Sequence, residues 1–152
     1  MTAAGAGDGT RGAGGLLVVA GSLFVAAGAG AWAAVTAQLR AEKITVPPNA
    51  RLVPGARVQG PVSAFAEADV IKGNAERGAG GRTFADISEA LRGVDGKSEE
   101  AAELRKHSLS LSTAAALRTA LMTSVLAYGV SALVVGLGGV FVIAGALLRR
   151  RA

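Results

Sequence analysis

The feature that most limits this chain is a run without a single charged side chain, Leu121 to Leu148, closed by Arg149-Arg150-Arg151. As a helix it extends roughly 40 Å, against roughly 30 Å for the hydrocarbon core of a bilayer. A second apolar run, Gly15 to Ala37, lies near the other terminus. The composition fits lipid better than water: 51% of residues are hydrophobic, yet only 4% are aromatic. A soluble core of this size uses more Phe, Tyr and Trp to fill volume. Here the apolar mass is Ala, Val, Leu and Gly, and small residues let membrane helices approach closely.

These blocks divide the chain. Residues 1–14 are Gly/Ala-rich with only Asp8 and Arg11 charged, and read as a disordered tail lacking the apolar surface to offset chain entropy. Residues 15–37 form transmembrane helix 1 and residues 121–148 transmembrane helix 2. Residues 38–120 form a mixed middle region, and residues 149–152 a basic tail. The fold class expected is mainly α and membrane-embedded: a two-helix transmembrane hairpin with a small extracytoplasmic α (plus short β) middle region. The first block has a rival identity as a signal peptide, with Arg11 as its n-region and Ala31-Trp32-Ala33 as a small-x-small cleavage site. The apolar block continues past that site to Ala37, which favours a retained anchor.

Within the middle region, Ile44-Thr45-Val46-Pro47-Pro48 is extended by its β-branched residues and prolines, so one or two short strands are expected between Ile44 and Gln59. Pro54-Gly55 and Gly60-Pro61 mark turns. Pro61 suits the first turn of a helix over about 61–77, stopped by Gly78-Ala79-Gly80-Gly81. Thr83 with Asp86 forms a capping box for a helix over 84–91. Ser98 caps a third helix, about 98–120, with Glu99, Glu100 and Glu103 in its first turns. No proline interrupts it and no glycine before Gly129, so it is expected to run on into the membrane.

Two small-residue ladders mark the spans as packing helices. Ser22, Ala26, Gly30 and Ala34 fall four apart; Gly129, Ala132, Gly136 and Gly139 step by three and four. Each lines one helix face, and the two are expected to meet. In an antiparallel pair Trp32 and Tyr128 fall in the same half of the bilayer, as neighbours and interfacial anchors. Arg118, Arg149, Arg150 and Arg151 mark the membrane interfaces.

Charge sets orientation. Arg149 to Arg151 directly follow a span and favour the cytoplasm, whereas a long connecting segment translocates largely regardless of charge. Both termini are then cytoplasmic, and the middle region is extracytoplasmic, at the plasma membrane. Arg40, Lys43 and Arg118 lie close to the membrane on the outer side and run against that rule. The terminal arginines suit anionic lipid head groups. The net charge of +5 reports this tail rather than a nucleic-acid surface, because the middle region carries twelve Lys/Arg against ten Asp/Glu.

No catalytic constellation is visible, and no catalytic, cofactor-binding or metal site is assigned. Cysteine is absent, and His107, on one helix face with Glu103, is the only histidine. Ser108, Ser110 and Ser112 lack a base and orienter at readable spacing. The glycines at 78–81 lack the Lys-Ser/Thr pair of a phosphate loop. The spans hold no charge of the kind that lines ion pathways; Ser22, Thr36, Ser124 and Ser131 are the hydroxyls a homo-oligomeric pore would use.

Ile44-Thr45-Val46, Gly60-Pro61-Val62, Ala68-Asp69-Val70-Ile71-Lys72 and Gly81-Arg82-Thr83-Phe84-Ala85, with the Gly-rich second span, resemble a group of small actinobacterial two-span membrane proteins of unknown function. The resemblance covers most of the chain from Gly15 onward. Members of that group often carry the label aromatic ring-opening dioxygenase, which implies a metal- or cofactor-dependent enzyme. A non-haem iron site of the usual kind needs two His and a carboxylate. The leading expectation is therefore a non-enzymatic integral membrane protein without a cofactor. It would act as a structural or interaction module, such as an accessory subunit of an envelope complex, with protein partners met through the middle region or the spans. The alternatives are the ring-opening enzyme and a channel-like homo-oligomer.

Overall fold

The computed structural model describes residues 4–151, with side chains from Gly9 to Arg150. The chain is mainly helical, and two of its helices are long and apolar enough to cross a membrane. In order the helices are α1 (Ala4–Ala41), α2 (Pro61–Gly78), α3 (Phe84–Gly93) and α4 (Glu99–Arg151). By contacts the chain divides into two compact units. Unit 1 comprises Met1–Gln38 and Leu126–Ala152, and unit 2 comprises Leu39–Val125.

Unit 1 is a pair of helical segments that approach each other most closely at glycine. A Cβ added at Gly21 would stand 2.5 Å from the Gly138 carbonyl oxygen and 2.8 Å from the Val142 nitrogen. One added at Gly14 would stand 2.7 Å from the Gly145 oxygen, and one at Gly28 2.8 Å from the Ser131 oxygen. Rising numbers on α1 meet falling numbers on α4, so the segments run in opposite directions. Gly14, Gly21 and Gly28 step by seven, as do Ser131, Gly138 and Gly145. Phe24 packs on Phe141 with ring centroids 5.8 Å apart, and Trp32 meets Tyr128 edge-on at 4.6 Å.

This contact corrects two expectations. The segment read as a disordered tail is helical from Ala4, with Met1 to Ala3 outside the described residues. Its glycines cost helix propensity, and at its end Gly14 docks against Gly145 and the Arg149 stem. The faces also differ from those expected. Ser22, Ala26, Gly30 and Ala34 are exposed, as are Gly129, Ala132 and Gly136, while Gly139 is half-buried. A Cβ at Gly30, Gly129, Gly136 or Gly139 would meet nothing within 4 Å. Four-residue ladders belong to right-handed crossings; a repeat of seven belongs to the left-handed geometry of most membrane helix pairs.

Unit 2 is built from local signals. Pro61 opens α2, and the Ser63 hydroxyl accepts from the Gly60 and Gln59 amides at 3.2 and 3.1 Å. Gly80 and Gly81, with φ of 68° and 79°, end the helix, and the Gly81 amide donates to the Glu76 carbonyl at 2.8 Å. Thr83 caps α3: its amide and hydroxyl donate to Asp86 Oδ2 at 2.7 and 2.8 Å, and its oxygen accepts the Asp86 amide. The Ser98 oxygen accepts the Ala101 amide at the start of α4. Ala79, Ile87, Leu104 and Leu111 form a buried cluster, flanked by Ala75, Ala90, Leu91 and Val94.

The strands expected between Ile44 and Gln59 reduce to one antiparallel bridge, Thr45 to Arg57, among the described residues. The Val46 amide donates to Ala56 and the Val58 amide to Ile44, both at 2.9 Å, and both valines are buried. Pro47-Pro48 follows at once, and proline supplies no ladder donor, so the pairing stops there. The Val53–Ala56 turn closes the ribbon, with Gly55 at φ 76°.

The glycine contact predicts an asymmetric response to alanine. Gly21→Ala or Gly138→Ala should lower stability by about 1–3 kcal/mol, because a methyl group meets backbone that cannot yield. Gly30→Ala or Gly136→Ala should be neutral or stabilise by up to about 1 kcal/mol, through helix propensity alone. Thermal unfolding in mild detergent, followed by emission of the single tryptophan on its Tyr128 contact, measures both.

Candidate functional site

Every candidate residue of the apolar runs can be placed. Tyr128 is buried at 1% exposure inside the helix pair. Its hydroxyl lies 2.8 Å from Thr36 Oγ1, which also donates to the Trp32 carbonyl at 3.0 Å. Trp32 keeps one face on Tyr128 and 39% of its surface exposed. The ring pair that the sequence places in one bilayer half is thus a packed contact with a polar clasp beside it.

The hydroxyls do not gather on one surface. Ser22 is exposed, Thr36 and Ser124 are half-buried and Ser131 is buried. Ser22 donates to the Val18 carbonyl, Ser124 to Ala120 and Ser131 to Ala127, each one turn back in its own helix. Such bonds satisfy a hydroxyl without water, as a lipid environment requires.

Among the charged interface residues, Arg149 lays its stem against Gly14, while Arg150 is exposed. The Arg151 side chain lies outside the described residues. Arg118, with Lys72, Phe84, Leu111 and Ala115, lines a cavity of about 240 Å³ in unit 2. Lys72 and Glu76 in its wall form an exposed ion pair at 3.9 Å.

A second cavity in unit 2, of about 280 Å³, lies among Arg40, Lys43, Ile44, Arg57, Val58 and Gln59. The Arg40 guanidinium donates from Nε to Gln59 Oε1 at 3.0 Å. Lys43 takes a left-handed φ of 54°, and its amide donates to the Arg40 carbonyl, closing the end of α1. The 45–57 bridge fixes Arg57 beside this turn. The sequence shows Arg40 and Lys43 as juxtamembrane cations; Arg57 joins them only through the ribbon, which no motif announces.

Glu67 carries no sequence signal, yet it is the carboxylate that stands out. It is 8% exposed on α2, and its Oε2 has no hydrogen-bond partner among the described residues. Burial raises its pKa above the usual 4.5. Asp86 moves the other way: the Thr83 backbone and side-chain hydrogen bonds lower its pKa below the usual 3.8.

His107 is half-buried, and no group of three or more His, Cys, Asp or Glu side chains placed to hold a metal ion occurs among the described residues. Comparison with protein-family models, curated proteins and solved structures finds no match to this chain.

The Glu67 environment has a pH signature. A carboxyl whose folded pKa is raised binds more protons folded than unfolded, so its contribution favours folding at low pH. That contribution is complete below about pH 4.5 and is lost as pH rises through the raised value. Glu67→Gln should therefore raise the thermal midpoint at neutral pH and flatten the stability profile above pH 4.5. Unfolding curves of both proteins at a series of pH values measure the difference.

Proposed function

We propose that this chain is a two-span integral membrane protein without catalytic activity. Unit 2 is its extracytoplasmic part, a structural or interaction module for a larger envelope assembly. The observation that carries the membrane part is an inversion of side-chain size in unit 1. The closest backbone approaches between the helices are at glycine and serine, with Tyr128 buried between them, whereas many of the large aliphatic residues point outward. Leu16 is 74% exposed, Leu126 69% and Ile143 63%, with Leu23, Val130, Leu133 and Val140 also exposed.

In water such a surface would be an apolar patch far beyond what a soluble monomer carries. Lipid reverses the sign, because acyl chains solvate Leu and Val and helix association depends on close small-residue contact. A core helix of a soluble protein is mostly buried. Here only 11% of the most apolar window of the first candidate span and 17% of that of the second are buried. The glycine contacts with α4 give the first span a structural role that a cleaved leader would not have.

The cytoplasmic placement of both termini rests on Arg149 to Arg151, which would also meet anionic head groups. The resemblance to small actinobacterial two-span membrane proteins favours a membrane protein and carries nothing about orientation. The interaction role rests on a unit 2 with capped helices and a core of its own.

The chain has no cysteine, so single cysteines report topology cleanly. Lys97→Cys should react with a membrane-impermeant thiol reagent on intact cells, and Ala152→Cys should react only after lysis. The reverse pattern would place unit 2 in the cytoplasm. Release of the protein from membranes by alkaline carbonate would remove the membrane assignment altogether.

A further inference from the structure

The cavity at the end of α1 has a chemistry of its own. Three of its six lining residues, Arg40, Lys43 and Arg57, are cations, and none is an acid. Glu42, the neighbouring carboxylate in sequence, is not among the lining residues. No ion pair to any of the three cations occurs among the described residues. Three like charges around one cavity repel one another, and the fold holds them there all the same. The Arg40 guanidinium is held by Gln59, while the left-handed turn that ends α1 places the Lys43 backbone and the 45–57 bridge that of Arg57. An anion at the centre turns that repulsion into attraction, and guanidinium groups suit phosphate oxygens in particular.

The place of this cluster in the chain narrows the anion. Arg40 comes three residues after Ala37, the end of the first apolar run, which is roughly 4.5 Å along a helix. The polar head-group zone occupies roughly 5–7 Å on each side of the hydrocarbon core. A cation cluster at that height meets lipid phosphate before anything else. The cavity volume, about 280 Å³, equals roughly nine waters. That holds a phosphate with its glycerol linkage.

We propose that Arg40, Lys43 and Arg57 form a binding site for the phosphate of an anionic phospholipid head group on the unit 2 side of the membrane. The inference rests on the membrane assignment made above. It also accounts for cations on the side where the positive-inside rule does not expect them. They recognise a ligand there and do not direct topology, and the C-terminal arginines keep the orienting role at the opposite face.

Trp32, the only tryptophan, stands eight residues before Arg40 in α1 and reports on lipid at that end. The full chain is reconstituted in vesicles of phosphatidylcholine with a minor fraction of phosphatidylglycerol. Either lipid carries dibrominated acyl chains, which quench indole at contact. The site predicts that brominated phosphatidylglycerol quenches Trp32 beyond its mole fraction, with a relative affinity at least about threefold that of phosphatidylcholine. Arg40→Gln with Arg57→Gln should bring the ratio close to one, as should Lys43→Gln with Arg57→Gln, which keeps the Arg40–Gln59 bond. Arg92→Gln, an exposed cation outside the cavity, should leave the preference unchanged.

A ratio near one in the unaltered protein overturns the site, and so does a preference that survives both double variants or falls equally with Arg92→Gln. In each of those outcomes quenching by brominated phosphatidylcholine still places Trp32 in lipid, and the membrane assignment stands. Absence of quenching by either lipid overturns both.

Discussion

The structure of unit 1 depends on backbone meeting backbone where Gly21 faces Gly138. A Cβ at either position would stand within 2.6 Å of the other's carbonyl oxygen. Only hydrogen side chains allow that approach, and the approach is what brings Phe24 onto Phe141 and Tyr128 under Trp32. The other contacts follow in the same register, Gly14 with Gly145 and Gly28 with Ser131. With glycine inside and Leu, Val and Ile outside, the pair gains from dispersion and close packing. That balance favours folding where the surroundings are themselves apolar.

Unit 2 follows the opposite logic. Its side chains of moderate size, Ile87, Leu104, Leu111, Val46 and Val58, are buried, and its helices begin and end on polar caps. Two of its features go beyond what folding needs. Glu67 is a buried carboxylate with one oxygen unpartnered among the described residues, and Arg40, Lys43 and Arg57 are cations gathered round a cavity. The first carries a desolvation cost, and the second sets three cations round one cavity with no acid in its lining. The two units thus follow different packing rules, and α4, unbroken by proline, contributes to both.

Much of this was legible in the sequence. The two apolar runs show as uncharged stretches of spanning length, and Thr83 with Asp86 announces α3 because a capping box has a fixed spacing. Pro61 and Ser98 do the same for α2 and α4. The packing face was not legible, because an Ala/Gly-rich helix offers several small-residue stripes. The four-residue ladder at Ser22 to Ala34 competes with the seven-residue one at Gly14 to Gly28, and only contact with α4 selects between them. The helix over residues 4–14 and the single 45–57 bridge likewise depend on partners distant in sequence. So do the burial of Glu67 and the approach of Arg57 to Arg40. None of these sites carries a local motif, because each is made by tertiary placement.

Nitroxide scanning of α4 in proteoliposomes tests the inside-out packing most directly. Labels are placed one at a time at Leu126, Val130, Leu133, Leu137 and Val140, and at Tyr128 and Ser131, which are buried in the pair. Collision with lipid-soluble oxygen and with a water-soluble nickel chelate is then measured. Labels at the five large-residue positions should be mobile, open to oxygen and closed to nickel, while labels at Tyr128 and Ser131 should be immobilised and closed to both. Nickel access at the large-residue positions, or immobilisation there with mobility at Tyr128 and Ser131, would contradict a glycine-packed pair that faces lipid with its large side chains.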